Sequence, residues 1–352
     1  MNKIIRLAYV MCLWVLAGSM LQAQGTRYAG AFLELGIGAR SMGMGEAFTA
    51  VADDGSAFYW NPAGASTMLR PEVSGMYASL FKGLVRHFHI GFTRPLYGAG
   101  AVSVNWVRLT VPDIPLYNSA LLNDITSSYD TRIAEAGEAP FGDWNANALT
   151  DAASGFSDSN DDALFITLSK QNKLDLDFGW QYFVMPITIP VGLNVKLIRQ
   201  TLFENKGSAL GFDFGTMLKF GIDDLFDDSR LGKFTFGLAV KDLWNTKVTW
   251  NTDSRHGDQI KRSWHVGGSY LQPLPKIGGQ LLLAYTLRKR YSSRDYLGLE
   301  YLYYNRLAVR FGLADNKFTA GIGLKVSLFH IDYAFRTHEL GGSHRINTSI
   351  QL

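Results

Sequence analysis

Cysteine is almost missing from this chain: the 352 residues include one, Cys12. It sits inside an apolar run near the amino terminus that export would remove, so the mature protein is expected to lack disulfides, thiolate metal sites and a cysteine nucleophile. The preceding Tyr9-Val10-Met11 also lacks the small residues of a lipoprotein-processing site. Charge of one sign is scarce. Lys and Arg number 34 against 31 Asp and Glu, a net +3, which leaves no basic footprint for nucleic acid. Long apolar runs are missing too: the stretch from Leu7 to Ala17 is too short to cross a bilayer, and nothing after it reaches roughly 18 residues, so spanning helices are excluded.

The amino terminus sets the compartment. Lys3 and Arg6 precede the Leu7–Ala17 run, and small residues follow as far as Ala23. This is the pattern of a secretory signal peptide over residues 1–23. Loss of Lys3 and Arg6 takes the basic count from 34 to 32 against 31 acidic residues, a mature net charge of +1.

Beyond the signal the sequence alternates. Phe88, Ile90 and Phe92 interleave with His87, His89, Gly91 and Thr93; Val102, Val104 and Trp106 interleave with Ser103 and Asn105. Phe318, Ala320, Ile322, Leu324, Val326 and Leu328 face away from Thr319, Gly321, Gly323, Lys325 and Ser327. Period two with one apolar face predicts strands. Many runs approach the ~9–11 residues that a tilted strand needs to cross hydrocarbon, and their other face carries Gly, Ser, Asn, Lys and Asp, as a wet or plugged lumen requires. A soluble β-sandwich alternates in the same way; strand length, the signal and the missing cysteine favour an all-β transmembrane antiparallel barrel.

Runs fall near 73–80, 86–94, 99–109, 163–184, 189–201, 208–220, 233–246, 262–272, 277–289, 294–304, 305–313, 317–327, 329–336 and 343–352, which gives about fourteen strands. Gln171-Asn172-Lys173 could be a hairpin tip, but splitting 163–184 would make the count odd, and bacterial single-chain barrels close with an even number. The run is therefore read as one crossing. Residues 71–352 then form an outer-membrane barrel, with residues 110–162 as a long acidic extracellular loop. That loop holds Asp113, Asp124, Asp130, Glu135, Glu138, Asp143, Asp151, Asp158, Asp161 and Asp162 against Arg132 alone. A loop of this length is functional or disordered, and its carboxylates lack the glycine-punctuated spacing of a calcium loop.

Residues 24–70 have a different texture. Gly36 to Gly45 reads as a glycine-rich turn leading into a short helix, which Asp53-Asp54-Gly55 would end, with Gly55 in the left-handed terminal position. Asn61-Pro62 then reads as the cap and first residue of a second short helix. The block GARSMGMGEAFTAVADDGSAFYWNPAG, residues 38–64, resembles the amino-terminal signature of FadL-like outer-membrane proteins, most closely their PorV/PorQ branch. The matching positions are Gly38, Ala39, Arg40, Met42, Gly43, Gly45, Asp53, Asp54, Asn61, Pro62 and Gly64. The resemblance implies a helical hatch that plugs the lumen of a fourteen-strand barrel. Inside it, Arg40 must find a carboxylate or several carbonyls, because an unpaired buried charge is very costly; the inward candidates are Asp213, Glu300 and Asp332.

No catalytic constellation is visible. The histidines (His87, His89, His256, His265, His330, His338, His344) lack His-Glu-x-x-His spacing, and His87 with His89 alternates on one strand face, expected to be solvated in the lumen rather than metal-bound. The glycine cluster at 36–45 has no βαβ surroundings. No cofactor is called for. Two roles follow from the resemblance. The one it favours is a binding and shuttle component of type IX protein secretion, with a translocon and cargo bearing C-terminal signal domains as partners. The alternative is FadL-type transport of a hydrophobic ligand, for which an apolar inward face beside the hatch would be the sign; the inward sets, rich in Gly, Ser, Asn and charge, weigh against it, although loops and plug could still build one. A barrel of structural role alone is the third reading.

Overall fold

The computed structural model describes residues 29–116, 155–177, 184–226, 228, 230–252, 257–337 and 341–352. The expected signal peptide at 1–23 lies outside the described residues. Sixteen strands form one antiparallel sheet: β1 (Glu72–Leu80), β2 (Val85–Leu96), β3 (Gly100–Leu116), β4 (Gly155–Asp177), β5 (Val184–Leu202), β6 (Asn205–Gly221), β7 (Lys233–Lys241), β8 (Thr246–Trp250), β9 (Gly257–Ile260), β10 (Ser263–Leu274), β11 (Gly279–Lys289), β12 (Ser293–Tyr303), β13 (Leu307–Ala314), β14 (Lys317–Val326), β15 (Phe329–Arg336) and β16 (Ser343–Gln351). β1 pairs with β16 and β5 with β6, so the ring closes. β8 and β9 stand outside it as a hairpin joined to β6 through Gly207 and Ser208. The remaining fourteen make the barrel.

Alternation becomes two surfaces. On β2, Phe88, Ile90 and Phe92 point outward and are exposed, while His87, His89 and Thr93 are buried. On β14, Phe318, Ile322 and Leu324 are exposed and Thr319 is buried. The outward set continues around the ring through Leu193, Leu210, Phe236, Val266, Leu283, Leu297, Phe311, Ile331 and Ile346. A contiguous apolar band of this extent is stable only against lipid. Tyr97 and Tyr304 at one rim and Trp244 at the other are exposed, where amphipathic rings suit the headgroup level.

Gln171-Asn172-Lys173 is no turn. These residues pair in unbroken register with Pro190, Ile189 and Thr188, so β4 is one crossing. Two features depart from the sequence expectation. β3 runs on to Leu116 and β4 starts at Gly155, with a register shift between Val111 and Ile114. Asp113, Asp158, Asp161 and Asp162 thus lie on strands rather than in a loop, and residues 117–154 fall outside the described residues. Beyond the bilayer both faces of a strand meet water, so pairing continues where apolar alternation stops. The β8–β9 hairpin is the second departure: its five- and four-residue strands are too short to show a period.

One rim carries the start of β1, the end of β16 and mostly short turns; the other carries the span between β3 and β4 and the β8–β9 hairpin. For an outer-membrane barrel these are the periplasmic and extracellular sides respectively.

Ile322 lies midway along the lipid face of β14. Ile322→Arg should destabilise the barrel by about 2–4 kcal/mol, measured by denaturant unfolding in phospholipid vesicles, whereas an arginine placed beyond the rim at Asn316 should cost far less.

Candidate functional site: the hatch and the lumen that holds it

Residues 29–70 fold inside the ring as short helical pieces: Ala31–Glu34, Ala39–Gly43, Ala57–Trp60 and Pro62–Thr67. None is long enough to be stable alone. Burial holds them: Phe48, Phe58, Trp60, Met42 and Met44 are nearly inaccessible, each contributing about 1.5–3 kcal/mol of apolar transfer. Asn61 begins the last piece as expected from sequence, its Oδ1 accepting from the Ala63 amide at 3.2 Å, with Pro62 in the first turn. Its Nδ2 donates to the carbonyls of Thr49 at 2.9 Å and Thr216 at 3.1 Å, tying two hatch segments to β6.

The Asp53-Asp54-Gly55 expectation needs correction. Helix Ala39–Gly43 ends well before it, at Met44, and irregular turns follow. Asp54 instead fixes the residue that precedes the next helix: its Oδ1 accepts from the amide and hydroxyl of the cap residue Ser56 at 2.9 and 2.6 Å. Gly55 is not left-handed. It is pressed against β1, where its amide donates to Glu72 Oε1 at 3.0 Å and an added Cβ would lie 2.6 Å from Ser74 Oγ.

The hatch backbone rests on glycines of the wall. Three of these glycine sites are cross-strand pairs: Gly192 with Gly215, Gly237 with Gly267, and Gly298 with Gly312. Each pair receives a hatch peptide. A Cβ on Gly192 would stand 2.3 Å from the Pro62 carbonyl carbon, one on Gly237 2.4 Å from Thr49 O, and one on Gly298 2.4 Å from Met44 O. The hatch reciprocates at Gly43, which lies over Gly321, and at Gly45, where a Cβ would meet Leu297 O. Thr319 completes the seat, its Oγ1 accepting from the Gly45 amide at 3.0 Å and donating to Gly43 O at 3.2 Å. Gly38, Ala39, Met42 and Gly64 are packing positions; a Cβ on Gly64 would overlap the Ala52 carbonyl.

Ion pairs fix the hatch on both sides. On the periplasmic side Arg40 forms a two-bond fork with Glu300, Nε to Oε2 at 2.9 Å and Nη2 to Oε1 at 3.0 Å. Its Nη1 holds Asp53 at 2.5 Å and Asp54 at 3.3 Å. Of the three candidate partners, Glu300 is in contact. Asp332 is one step removed, bound at 2.6 Å by Arg310, which itself holds Glu300 at 2.5 Å. Asp213 does not reach Arg40: it lies nearer the other side and is taken by Lys196 at 2.7 Å.

On the extracellular side sequence reasoning missed the matching anchor, Glu46. Its carboxylate joins Arg288 at 2.9 Å and Arg336 at 2.8 Å. Burial alone would push this carboxyl up, but Arg336, Arg288 and Arg345 outweigh it and hold the group below the usual carboxylate range. Arg345 donates to the carbonyls of Leu35 and, at 2.7 Å, Gly36. The only sequence signal was a lone acidic residue in an otherwise apolar, glycine-rich block.

His87 and His89 are not solvated. Both are buried; His89 stacks on Phe58 at 5.2 Å and its Nε2 meets Asn105 Oδ1 at 3.0 Å. Near them Val107, Ala163, Phe165 and Ile198 of β3, β4 and β5 turn inward into one buried apolar cluster that also takes in Phe58, whose ring lies 5.0 Å from that of Phe165, and Val248 and Ile260 of the hairpin. Below the hatch, a cavity of about 530 Å³ opens with a mixed lining, Val51, Leu271 and Leu302 beside Arg40, Lys219 and Glu300.

Two outcomes test this seat. Gly298→Val should displace the hatch without opening the ring, seen as protease cleavage within 29–70 and as more frequent channel openings in planar bilayers than the native protein gives. The Glu46 shift has a definite sign. A carboxylate whose folded pKa is depressed stabilises the fold above its unfolded value, about 4.3, and loses that contribution as pH falls through the lower folded value. Hatch protection from protease should therefore fall on acidification below about pH 4, and Glu46→Gln should be weaker near neutrality with a flatter acid limb.

An uncharacterised protein family (UPF0164) matches residues 17–94, which include the hatch, β1 and most of β2. No curated protein matches. Among solved structures, the chain is similar to the toluene transporter TodX of Pseudomonas putida, with 8% identity, TM-score 0.47, and 90% of this chain aligned to 99% of that one. It is also similar to the monoaromatic hydrocarbon channel CymD, with 10% identity, TM-score 0.36, and 90% aligned to 96%. For the outer membrane protein Omp33 of Acinetobacter baumannii the values are 8% identity, TM-score 0.40, and 80% aligned to 98%.

Proposed function

We propose that this chain is an outer-membrane transport barrel for small hydrophobic molecules. The observation that carries the reading is the apolar inward face beside the hatch, where Val107, Phe165 and Ile198 of the wall share one buried cluster with Phe58 and with the hairpin residues Val248 and Ile260. Apolar lining inside a barrel is unfavourable beside water and is useful only where it packs or where a hydrophobic solute takes its place. The hairpin meets the wall along one strand, β6, through the pairs Gly207 with Trp250 and Ser208 with Thr249 and the Lys206–Asn251 bonds at 2.7 and 3.0 Å, so lifting it would uncover the apolar residues beneath. The cavity of about 530 Å³ beneath the hatch falls within the usual size of small-molecule sites, roughly 300–1,000 Å³. A solute held in the upper face would pass into it when hatch segment Phe48–Val51 shifts, since Ala50 and Val51 line the cavity and Phe48 packs in the core above.

The secretion role rests on the resemblance of residues 38–64 alone. The loop residues that would meet cargo, 117–154, lie outside the described residues.

Toluene is a suitable probe, as the substrate named for TodX. Purified protein should bind it, and Phe165→Asp, which places a carboxylate in the apolar face, should weaken binding at least tenfold, about 1.4 kcal/mol. Equilibrium dialysis with labelled toluene checks this, with heat-modifiable migration on gels as the control for an intact barrel. Binding by neither form, or equally by both, would sink the reading.

A further inference from the structure

On the extracellular side of the hatch, a small cavity of about 70 Å³ is lined by Tyr59, Lys241, His265, Arg288, Arg290 and Arg294, among others. The charges around it do not balance. Lys196 holds Asp213 and Asp242; Arg290 bonds Asp242 at 3.0 Å; Arg288 and Arg336 share Glu46; Arg345 is occupied with hatch carbonyls. Six buried or half-buried cations (Lys196, Lys241, Arg288, Arg290, Arg336, Arg345) thus face four carboxylates (Glu34, Glu46, Asp213, Asp242), an excess of two positive charges.

Lys241 is where the excess is localised. It is buried, and among the described residues its ammonium has no carboxylate or hydrogen-bond acceptor. It stands over aromatic faces, 3.5 Å from the Tyr59 ring centroid and 5.6 Å from that of Trp60. A ring face offsets part of a cation's desolvation but not all of it. Two further donors into the same space are incomplete. Arg290 Nη1 is 3.3 Å from Glu34 without a hydrogen bond, and His265 has its Nε2 on Ser263 Oγ at 2.9 Å and its Nδ1 unpartnered.

We infer that this cavity is a binding site for a compact oxyanion, a phosphate or a carboxylate, held by Lys241 together with Arg290 and His265. Such a group accepts several charge-assisted hydrogen bonds at once, which is what the unmatched donors require. The cavity's lining of Lys241, His265, Arg288, Arg290 and Arg294 suits an anionic group rather than a hydrocarbon chain. Its ligand is therefore a free solute distinct from any occupant of the apolar face, and the site stands whether or not the uptake reading does.

The test is thermal unfolding of the purified full-length barrel in detergent at pH 7, in sodium phosphate, acetate or chloride at matched ionic strength. Phosphate or acetate should raise the midpoint over chloride by a few degrees and saturably, since a ligand that binds only the folded state stabilises it by mass action. Lys241→Met should abolish that increment while leaving the midpoint in chloride equal or higher, because it removes an uncompensated charge. Lys241→Gln gives the same comparison if the Met variant does not refold. Absence of a saturable increment in the native protein, or an increment undiminished in the variants, overturns the proposal.

Discussion

The contact that governs this molecule is backbone against backbone at the glycine pairs of the wall. A closed ring of fourteen strands needs its lumen filled or wet, and here a polypeptide of short helical pieces fills it. That polypeptide could not approach a wall carrying side chains at Gly192, Gly215, Gly237, Gly267, Gly298 and Gly312. With them bare, Pro62, Thr49 and Met44 sit at van der Waals distance, and dispersion contacts accumulate over a wide area at the density of a protein core. Polar groups of the hatch must then be satisfied within the hatch or from the lumen wall, because water is excluded from the packed contact. The Asn61, Thr319 and Arg345 bonds follow from that requirement.

The charged groups divide around the hatch. Below it, Asp53, Asp54, Glu300 and Asp332 surround Arg40 and Arg310; above it, cations exceed carboxylates. Breaking a buried pair leaves an uncompensated charge and costs about 3–5 kcal/mol, although the intact pair itself adds little over an apolar substitute. The lattice thus sets the position and orientation of the hatch more than it adds to overall stability. Glu46 and Arg40 are its two hatch-borne anchors, one toward each side, and their opposite charges match the local excess they meet.

The sequence makes the lipid face plain and the lumen obscure. Phe88, Ile90 and Phe92, or Phe318, Ile322 and Leu324, can be read from period two alone, because lipid asks only for apolar surface. The inward face is ambiguous: Gly, Ser, Asn and charge suit a wet pore as well as a packed one. That Gly237 carries a hatch peptide while Gly75 meets only ordinary contact depends on which residues oppose each other across strands, and register is not legible in composition. Arg40 could be assigned a carboxylate in advance, since its charge demands one, but choosing Glu300 over Asp213 requires depth along the barrel. The apolar inward face was hidden for the same reason: Val107, Phe165 and Ile198 lie far apart in sequence and meet only through the pairing of β3, β4 and β5. The extended rims of β3 and β4 went unseen because alternation fades where water replaces lipid.

Arg345 sits on β16, the last strand made and the one that seals the ring against β1. It is fully buried, and its hydrogen bonds go to the main-chain oxygens of Leu35 and Gly36, in the first part of the hatch to be synthesised. Closing the seam without the hatch would leave that guanidinium facing lumen water instead of these carbonyls, so the bonds between the last strand and the start of the hatch form only when both are in place. The two ends of the fold are thereby joined at the seam: a barrel closed without its hatch lacks the contacts that tie β16 to Leu35 and Gly36.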